Sequence, residues 1–227
     1  MVLDVHVHTT ISGDSIITPD SLIRAAKDAG VDGVCITEHG KEKSRIAESL
    51  AKKYDFPVFG GLEASTELGD FLVFGIDNYP WIISKARDLK QFVEQRGGVL
   101  IAAHPFRSNF YRSAPHSNLT VNEACQDQLL ELVDIMEVFN GWSTEAEVLF
   151  CAEVSSRLGL NGTGGSDAHI PWQIGSCVTV FENSIRNEAE LVAELKRGKF
   201  RAEDRRSPEL KKDPLNWFSH SLVRERG

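Results

Sequence analysis

Short apolar runs alternate with longer stretches whose apolar residues recur three and four positions apart. The apolar runs predict strands at residues 2–7, 31–37, 57–62, 71–76, 99–103, 134–139 and 175–181. The helical spacing predicts helices at residues 19–29, 44–54, 84–96, 121–132, 144–158 and 187–196. Thr18 and Asn187 are predicted N-caps, Gly30 ends the first helix, and Gly69-Asp70 indicates a hairpin. Repeated strand–helix units favour an α/β fold with a mostly parallel sheet.

Polar side chains stand where the predicted strands end. They are His6 and His8, Glu38 and His39, Glu63, His104, Asn140, and Asp167 with His169, the last pair after the short segment 161–165. In an α/β barrel the C-terminal ends of the strands meet at one rim, where active sites are built. We therefore expect these residues to share one pocket.

Histidines and carboxylates in this pattern indicate a metal site. His6 and His8 are two positions apart, so a strand presents both imidazoles on one face. A single such pair is common by chance, whereas its combination with acidic residues at other strand ends is much more specific. Imidazole mixed with carboxylate suits Zn, Mn or Fe better than Mg or Ca. The sequence thus predicts a multinuclear metal site in a hydrolytic enzyme.

Composition narrows the class of protein. The chain has 227 residues and a net charge of -8, so extended binding to nucleic acid, which needs many Lys and Arg contacts to phosphate, is not expected. The four cysteines form no CxxC pair, no apolar run reaches the roughly 18 residues of a membrane span, and no signal peptide is visible, which favours the cytoplasm. We predict a barrel domain at residues 1–200 and a charged tail at 201–227, with Trp217 and Phe218 able to dock it on the barrel.

The strand-end motifs resemble those of the PHP (polymerase and histidinol phosphatase) domain family. The matching motifs are His6-Val7-His8-Thr9, Asp14, Thr37-Glu38-His39, Gly61-Leu62-Glu63, Ala103-His104-Pro105 and Gly165-Ser166-Asp167-Ala168-His169. The resemblance covers residues 2 to about 197. It implies a distorted (β/α)7 TIM-like barrel and a metal-dependent phosphoesterase that uses two or three divalent ions.

The resemblance also implies roles for single residues. One ion would be held by His6, His8, Glu63 and Asp167; a second by Glu63 and His104; a third by Asp14, His39 and His169. The family usually supplies one more histidine between Glu63 and His104, but residues 70–75 read DFLVFG, so the second ion has fewer protein ligands. Glu38 also stands where an aspartate is more usual.

The expected reaction is hydrolysis of a small phosphate ester or nucleotide by a metal-activated hydroxide. Asp167 or His169 is predicted to assist proton transfer. Arg107 is predicted to bind the phosphate, with Arg112 and Lys41 as further candidates, because a guanidinium can make a bidentate contact with phosphate oxygens.

Two other classes stay open. Amidohydrolases, which act on C–N bonds, also begin with HxH on a barrel strand, but they commonly add a metal-bridging lysine at a strand end that is not found here. Alternatively, the chain is a non-catalytic regulatory module that binds metal without turnover.

Overall fold

A single curved sheet organises the chain. The computed structural model describes residues 1–39, 46–77, 79, 83–107 and 119–217. The strands, β1 to β9, are Val2–Val7, Gly33–Ile36, Val58–Thr66, Gly69–Phe74, Val99–Ala102, Ile135–Asn140, Asn161–Gly165, Cys177–Phe181 and Phe200–Asp204. The helices, α1 to α7, are Pro19–Asp28, Ile46–Tyr54, Ala86–Gln95, Val121–Ala124, Glu145–Leu158, Glu188–Arg197 and Pro208–Lys212. Short 3-10 turns lie at Leu130–Leu132, Pro171–Gln173 and Pro214–Asn216.

The sheet is a nearly closed barrel, which confirms the predicted α/β fold class. Its strand order is β7-β6-β5-β4-β3-β2-β1-β8-β9. The pairs β1–β2, β2–β3, β5–β6 and β6–β7 are parallel, and the pairs β3–β4, β4–β5, β1–β8 and β8–β9 are antiparallel. The prediction of a mostly parallel sheet is therefore wrong for half of the strand pairs. The segment after β7 closes the barrel onto β1: the Asp167 amide donates to the His6 carbonyl (2.7 Å), and the His8 amide donates to the Ala168 carbonyl (3.1 Å). This closure brings residues of β1 next to the residues that follow β7.

The predicted helices form because their apolar faces pack on the sheet and their ends are capped. In α1, Leu22, Ile23 and Ala26 are buried against the apolar side chains of β2. The Thr18 hydroxyl accepts a hydrogen bond from the Ser21 amide, as predicted for the N-cap. Among the described residues, no helix combines the length and apolar character needed to cross a bilayer.

Two predicted elements differ in extent from the observed ones, and one observed strand was not predicted. The helix expected at 121–132 stops after four residues, because an Asp127 carboxylate accepts from the Leu129 amide and turns the chain before Leu130–Leu132. Strand β3 extends beyond residue 62 because it pairs with β4 as far as Thr66, so Glu63 lies inside a strand instead of after one. The strand Phe200–Asp204, which pairs with β8, was not predicted.

Residues beyond 200 contact the barrel closely. Because β9 belongs to the main sheet, the sheet continues past the predicted boundary at residue 200. The guanidinium of Arg206 donates to the carbonyls of Gly141 (3.3 Å) and Ser143 and pairs with Asp204. Trp217 is buried, and its indole N–H donates to the Gly141 carbonyl at 3.1 Å. Phe218 lies outside the described residues.

Candidate metal centre

Two buried histidines at the end of β1 form the centre of the site. His6 and His8 are fully buried, and their Nε2 atoms are 3.1 Å apart. Nδ1 of His6 lies 3.0 Å from Oε1 of the buried Glu137, so it donates its proton to that carboxylate. The Nε2 atom of His6 is then left with a free lone pair, as in the carboxylate–histidine pairs that hold metals.

His8 reaches the same tautomer through a hydroxyl. Its Nδ1 donates to Oγ of Ser12 (3.2 Å), which in turn donates to Glu38. Ser12 Oγ also accepts the His39 amide (3.1 Å), so all of its hydrogen-bonding capacity is used. Two lone pairs facing each other at 3.1 Å repel unless a cation lies between them, and this arrangement therefore fits a metal ion.

The same point is bounded by two carboxylates. The Oε2 atom of Glu63 lies 3.3 Å from His6 Nε2 and 3.1 Å from His8 Nε2. The Oδ1 atom of Asp167 lies 3.4 and 3.2 Å from the same two nitrogens. Four ligands at about 2.0–2.1 Å from one ion in a tetrahedron are about 3.3–3.4 Å apart, and octahedral neighbours about 3.0 Å. These four donors thus fit one divalent ion.

A second group of donors lies towards solvent. Oδ2 of Asp14 is 3.2 Å from His39 Nε2 and 3.3 Å from His169 Nε2. The Nδ1 atom of His169 donates to the Asp167 carbonyl (2.9 Å), which leaves Nε2 unprotonated. His39 also places Nδ1 3.2 Å from Glu63 Oε2 and so connects the two groups. These side chains are 23–46% exposed, so a ligand from solvent can reach this side of the site.

The third group centres on Glu63. Its second oxygen, Oε1, lies 2.9 Å from His104 Nε2. One ligand atom each of Glu63, His104 and Asp70 lie within 4.8 Å of one another. Asp70 thus provides a carboxylate in the segment between Glu63 and His104, where the family usually has a histidine.

The electrostatic field of the cluster favours positive charge. Burial lowers the pKa of His6, but Asp167, Glu137 and Glu63 together raise it well above its ordinary value. Burial likewise opposes charge on His8, but Asp167 and Glu63 raise its pKa to about 9. Burial raises the pKa of Asp167, and His6 with Arg107 lowers it well below its ordinary value. The carboxylates of the cluster thus need positive charge beside them. Protonated imidazoles can provide this charge, and a divalent cation would provide it instead.

Two of the predicted ligands adopt strained backbone conformations. His104 has φ +31° and Asp167 has φ +51°, in the left-handed region that residues other than glycine seldom occupy, although Asn, Asp and His enter it more often than the rest. Such conformations cost on the order of 1–3 kcal/mol each and cluster at functional sites. The His104 amide donates to Glu137 Oε2 at 3.0 Å, which holds that turn in place.

Arg107 is the one predicted phosphate-binding residue within the described part of the chain; Lys41 and Arg112 lie outside it. Its Nη2 donates to Asn140 Oδ1 (2.6 Å) and to Asp167 Oδ2. Burial opposes its charge, but Asp167 outweighs this and raises the pKa of Arg107. The guanidinium is 22% exposed beside the cluster.

The structure brings all eight predicted ligands together and adds residues that the sequence did not single out. Glu137 binds His6, His104 and Asn140 at once. Asp4, whose pKa burial raises to about 6 against the hydrogen bonds it accepts, receives the amides of Ser166 and Gly175 and so holds the Asp167 segment against β1. For both Glu137 and Asp4, the only feature of the sequence that could have indicated a role was an acidic residue inside an otherwise apolar strand.

A nearly closed α/β barrel whose rim gathers five histidines and several carboxylates has the donor set of a metal-binding barrel. A family model described as PHP domain matches residues 4–155, and one described as PHP-associated matches residues 151–200. As the motifs predicted, the chain belongs to the PHP domain family.

The chain is similar to several known proteins. An uncharacterized protein of Methanocaldococcus jannaschii is 27% identical over 161 residues, 65% of this chain and 86% of that protein. A Caldicellulosiruptor saccharolyticus protein named "Probable phosphatase" is 35% identical over 72 residues, 28% of this chain and 30% of that protein. A two-domain protein of Bacteroides vulgatus, described as containing a predicted PHP-like metal-dependent phosphoesterase, superposes with a TM-score of 0.69 at 18% identity over 90% of this chain and 64% of that one. The last similarity supports the fold.

Proposed function

We propose that the protein is a metal-dependent phosphoesterase that hydrolyses a small phosphate ester or a nucleotide. One arrangement carries this proposal. The Nε2 atoms of His6 and His8 lie 3.1 Å apart, and each lies 3.1–3.4 Å from Glu63 Oε2 and Asp167 Oδ1. The names of the Caldicellulosiruptor and Bacteroides proteins point to the same class of reaction.

Glu63 occupies the middle of the proposed centre. Its Oε2 belongs to the buried group and its Oε1 faces His104, so one carboxylate can bridge two ions. Divalent ions bound there, with Zn, Mn or Fe as candidates, supply a Lewis acid for phosphate oxygens and lower the pKa of a coordinated water to about 7. Glu137 and Ser12 hold the histidine tautomers that this binding requires.

Arg107 is the proposed phosphate contact. Its Nη2 is engaged by Asp167 and Asn140, while its Nε is buried and has no hydrogen-bond partner within the described residues. A buried N–H without a partner costs on the order of 1–3 kcal/mol, which an acceptor such as a phosphate oxygen would recover. Arg112 and Lys41 are further candidates because their positive charge would also attract a phosphate.

Asp167 and His169 are the proposed residues for proton transfer. His169 is fixed as the Nδ1–H tautomer by the Asp167 carbonyl, so its Nε2 offers one lone pair at the solvent side of the site. In a two-ion centre that leaves the position beside Asp14 empty, this lone pair would accept a proton; in a three-ion centre it would hold the third ion. Asp167 is buried and ionised, which suits a ligand and an acceptor better than an acid.

The test is an activity panel on protein supplied in turn with Mn2+, Zn2+ and Fe2+. Phosphomonoesters, phosphodiesters, nucleotides and simple amides are offered to the wild type, to Asp167→Ala and to the exposed control Asp134→Ala. We expect phosphoester turnover that falls at least about 100-fold in Asp167→Ala and persists in the control. Turnover of amides alone would favour an amidohydrolase, and no turnover with any metal would favour a regulatory module.

A further inference from the structure

We infer that Asp70, Glu63 and His104 form a cation site of their own, and that its oxygen-rich donor set makes it the position of the centre at which Mn2+ competes best against Zn2+. This inference deepens the proposed function and rests on it. It concerns one position of the centre, and it can fail while the other positions still bind metal.

The register of the β3–β4 hairpin places Asp70 beside Glu63. Ser65 pairs with Asp70, and Glu63 pairs with Leu72. Directly paired residues share a face of the sheet, and so do residues two apart, so Asp70 lies diagonal to Glu63 on the same face. Diagonal neighbours are close enough for acidic side chains to share one ion.

The backbone also connects Asp70 to His104. The Asp70 carbonyl accepts the amide of Ala103 at 3.0 Å, in the residue just before His104. At His104 the chain turns with φ +31°, and the ring then lies 2.9 Å from Glu63 Oε1. As a result, a ligand atom from each of the three side chains falls within 4.8 Å of the other two.

The charge of Asp70 is not balanced by protein atoms within the described residues. Its side chain is half-buried and has no hydrogen-bond or ion-pair partner there. Glu63 is 2% exposed; its Oε2 faces the imidazoles of the buried group, and its Oε1 faces His104. A cation held by Asp70, Glu63 Oε1 and His104 would give the Asp70 carboxylate the partner that it lacks.

The donor types distinguish this position from the other two. It offers one imidazole and two carboxylates, whereas the buried group offers two imidazoles and two carboxylates, and the solvent-side group pairs imidazoles with the single carboxylate of Asp14. Carboxylate and water ligands suit Mn2+ and Mg2+, and imidazole suits Zn2+ and Fe2+. Selectivity for Mn2+ is therefore expected to be highest at the position of Asp70.

The experiment measures bound metal rather than activity. The full-length chain is stripped, equilibrated with Mn2+ in large excess over Zn2+, desalted, and analysed by plasma mass spectrometry and Mn2+ electron paramagnetic resonance. The variants are Asp70→Asn, which keeps the shape, Asp70→His, which adds an imidazole, and the exposed control Asp134→Asn. Circular dichroism confirms that each is folded.

We expect wild type and control to hold both metals, Asp70→Asn to lose about one ion per chain, mainly Mn2+, and Asp70→His to exchange Mn2+ for Zn2+ at an unchanged total. Unchanged Mn2+ content in Asp70→Asn, or a wild type that takes Zn2+ alone, would overturn this inference and leave the proposed function standing. A wild type that binds no divalent ion would overturn both.

Discussion

Replacing Glu137 by glutamine tests whether the metal site depends on the tautomer of His6. The carboxylate of Glu137 accepts three hydrogen bonds: from His6 Nδ1 at 3.0 Å, from the His104 amide at 3.0 Å, and from Asn140 Nδ2 at 2.9 Å. Glutamine has a single carbonyl oxygen, and its amide nitrogen must face either one donor, at His6, or two, at His104 and Asn140. Because each buried donor without an acceptor costs about 1–3 kcal/mol, the first orientation is favoured.

In that orientation the proton of His6 moves to Nε2, the atom that faces His8, Glu63 and Asp167. Loss of such a supporting partner typically lowers metal affinity 10- to 100-fold, which corresponds to about 1.4–2.7 kcal/mol. We therefore expect the Kd for the tightest ion to rise by that factor in Glu137→Gln. Titration against a chromophoric chelator measures it.

The matched control is Glu194→Gln, which alters a mostly buried carboxylate in α6 that accepts from Asn183 at 3.0 Å and pairs with Arg197, away from the site. It is expected to change stability but not metal affinity. A folded Glu137→Gln protein whose Kd stays within about twofold of the wild-type value would refute the reasoning about the His6 tautomer.

Three further predictions concern packing, charge and the ion itself. A Cβ at Gly165 would lie 2.5 Å from His6 Cβ and 2.7 Å from Glu137 Oε1, so Gly165→Ala is expected to lose about 1–3 kcal/mol in urea unfolding, and an unchanged midpoint would contradict it. Arg206→Met is expected to cost about 3 kcal/mol by breaking its pair with Asp204. Burial raises the pKa of Asp204 and Arg206 lowers it by more, to below the ordinary 3.8, so this stabilisation is present above pH 3.8 and should fade as the pH falls; a loss independent of pH would count against it. Divalent ion at 100 times its Kd should stabilise the chain by about 2.7 kcal/mol, or roughly 5–10 °C in Tm by calorimetry, and a Tm insensitive to chelator would be inconsistent with a resident metal.

Most candidate ligands could be located in the sequence because they lie at or near strand ends, whereas Asp14 was reached only through the family resemblance. His6 and His8 share a face of β1, and Asp167 with His169 follows the close-packed glycines of β7. Strand ends of a barrel converge, so residues far apart in sequence were correctly expected to meet.

The supporting residues could not be found in the same way. Glu137 sits inside β6 between apolar neighbours, and nothing local shows that its carboxylate receives three donors from other segments. The proximity of Asp70 to Glu63 depends on the register of a hairpin whose first strand runs four residues further than its apolar pattern indicated. Strand β9 was missed because Arg201, Glu203 and Asp204 give it the composition of a solvated segment.

The closure of the barrel has a consequence for when the protein can acquire metal. The donors of the buried group come from β1, from β3 and from the turn after β7, and the two ends of this arrangement are joined by the hydrogen bonds of Asp167 and His8 across the closure. During synthesis, a nascent chain holds the two histidines of β1 long before Asp167 leaves the ribosome. In the proposed metal centre, tight binding would therefore begin only once β7 and the turn after it have been made and docked, and a bound ion would then join β1 to the segment after β7.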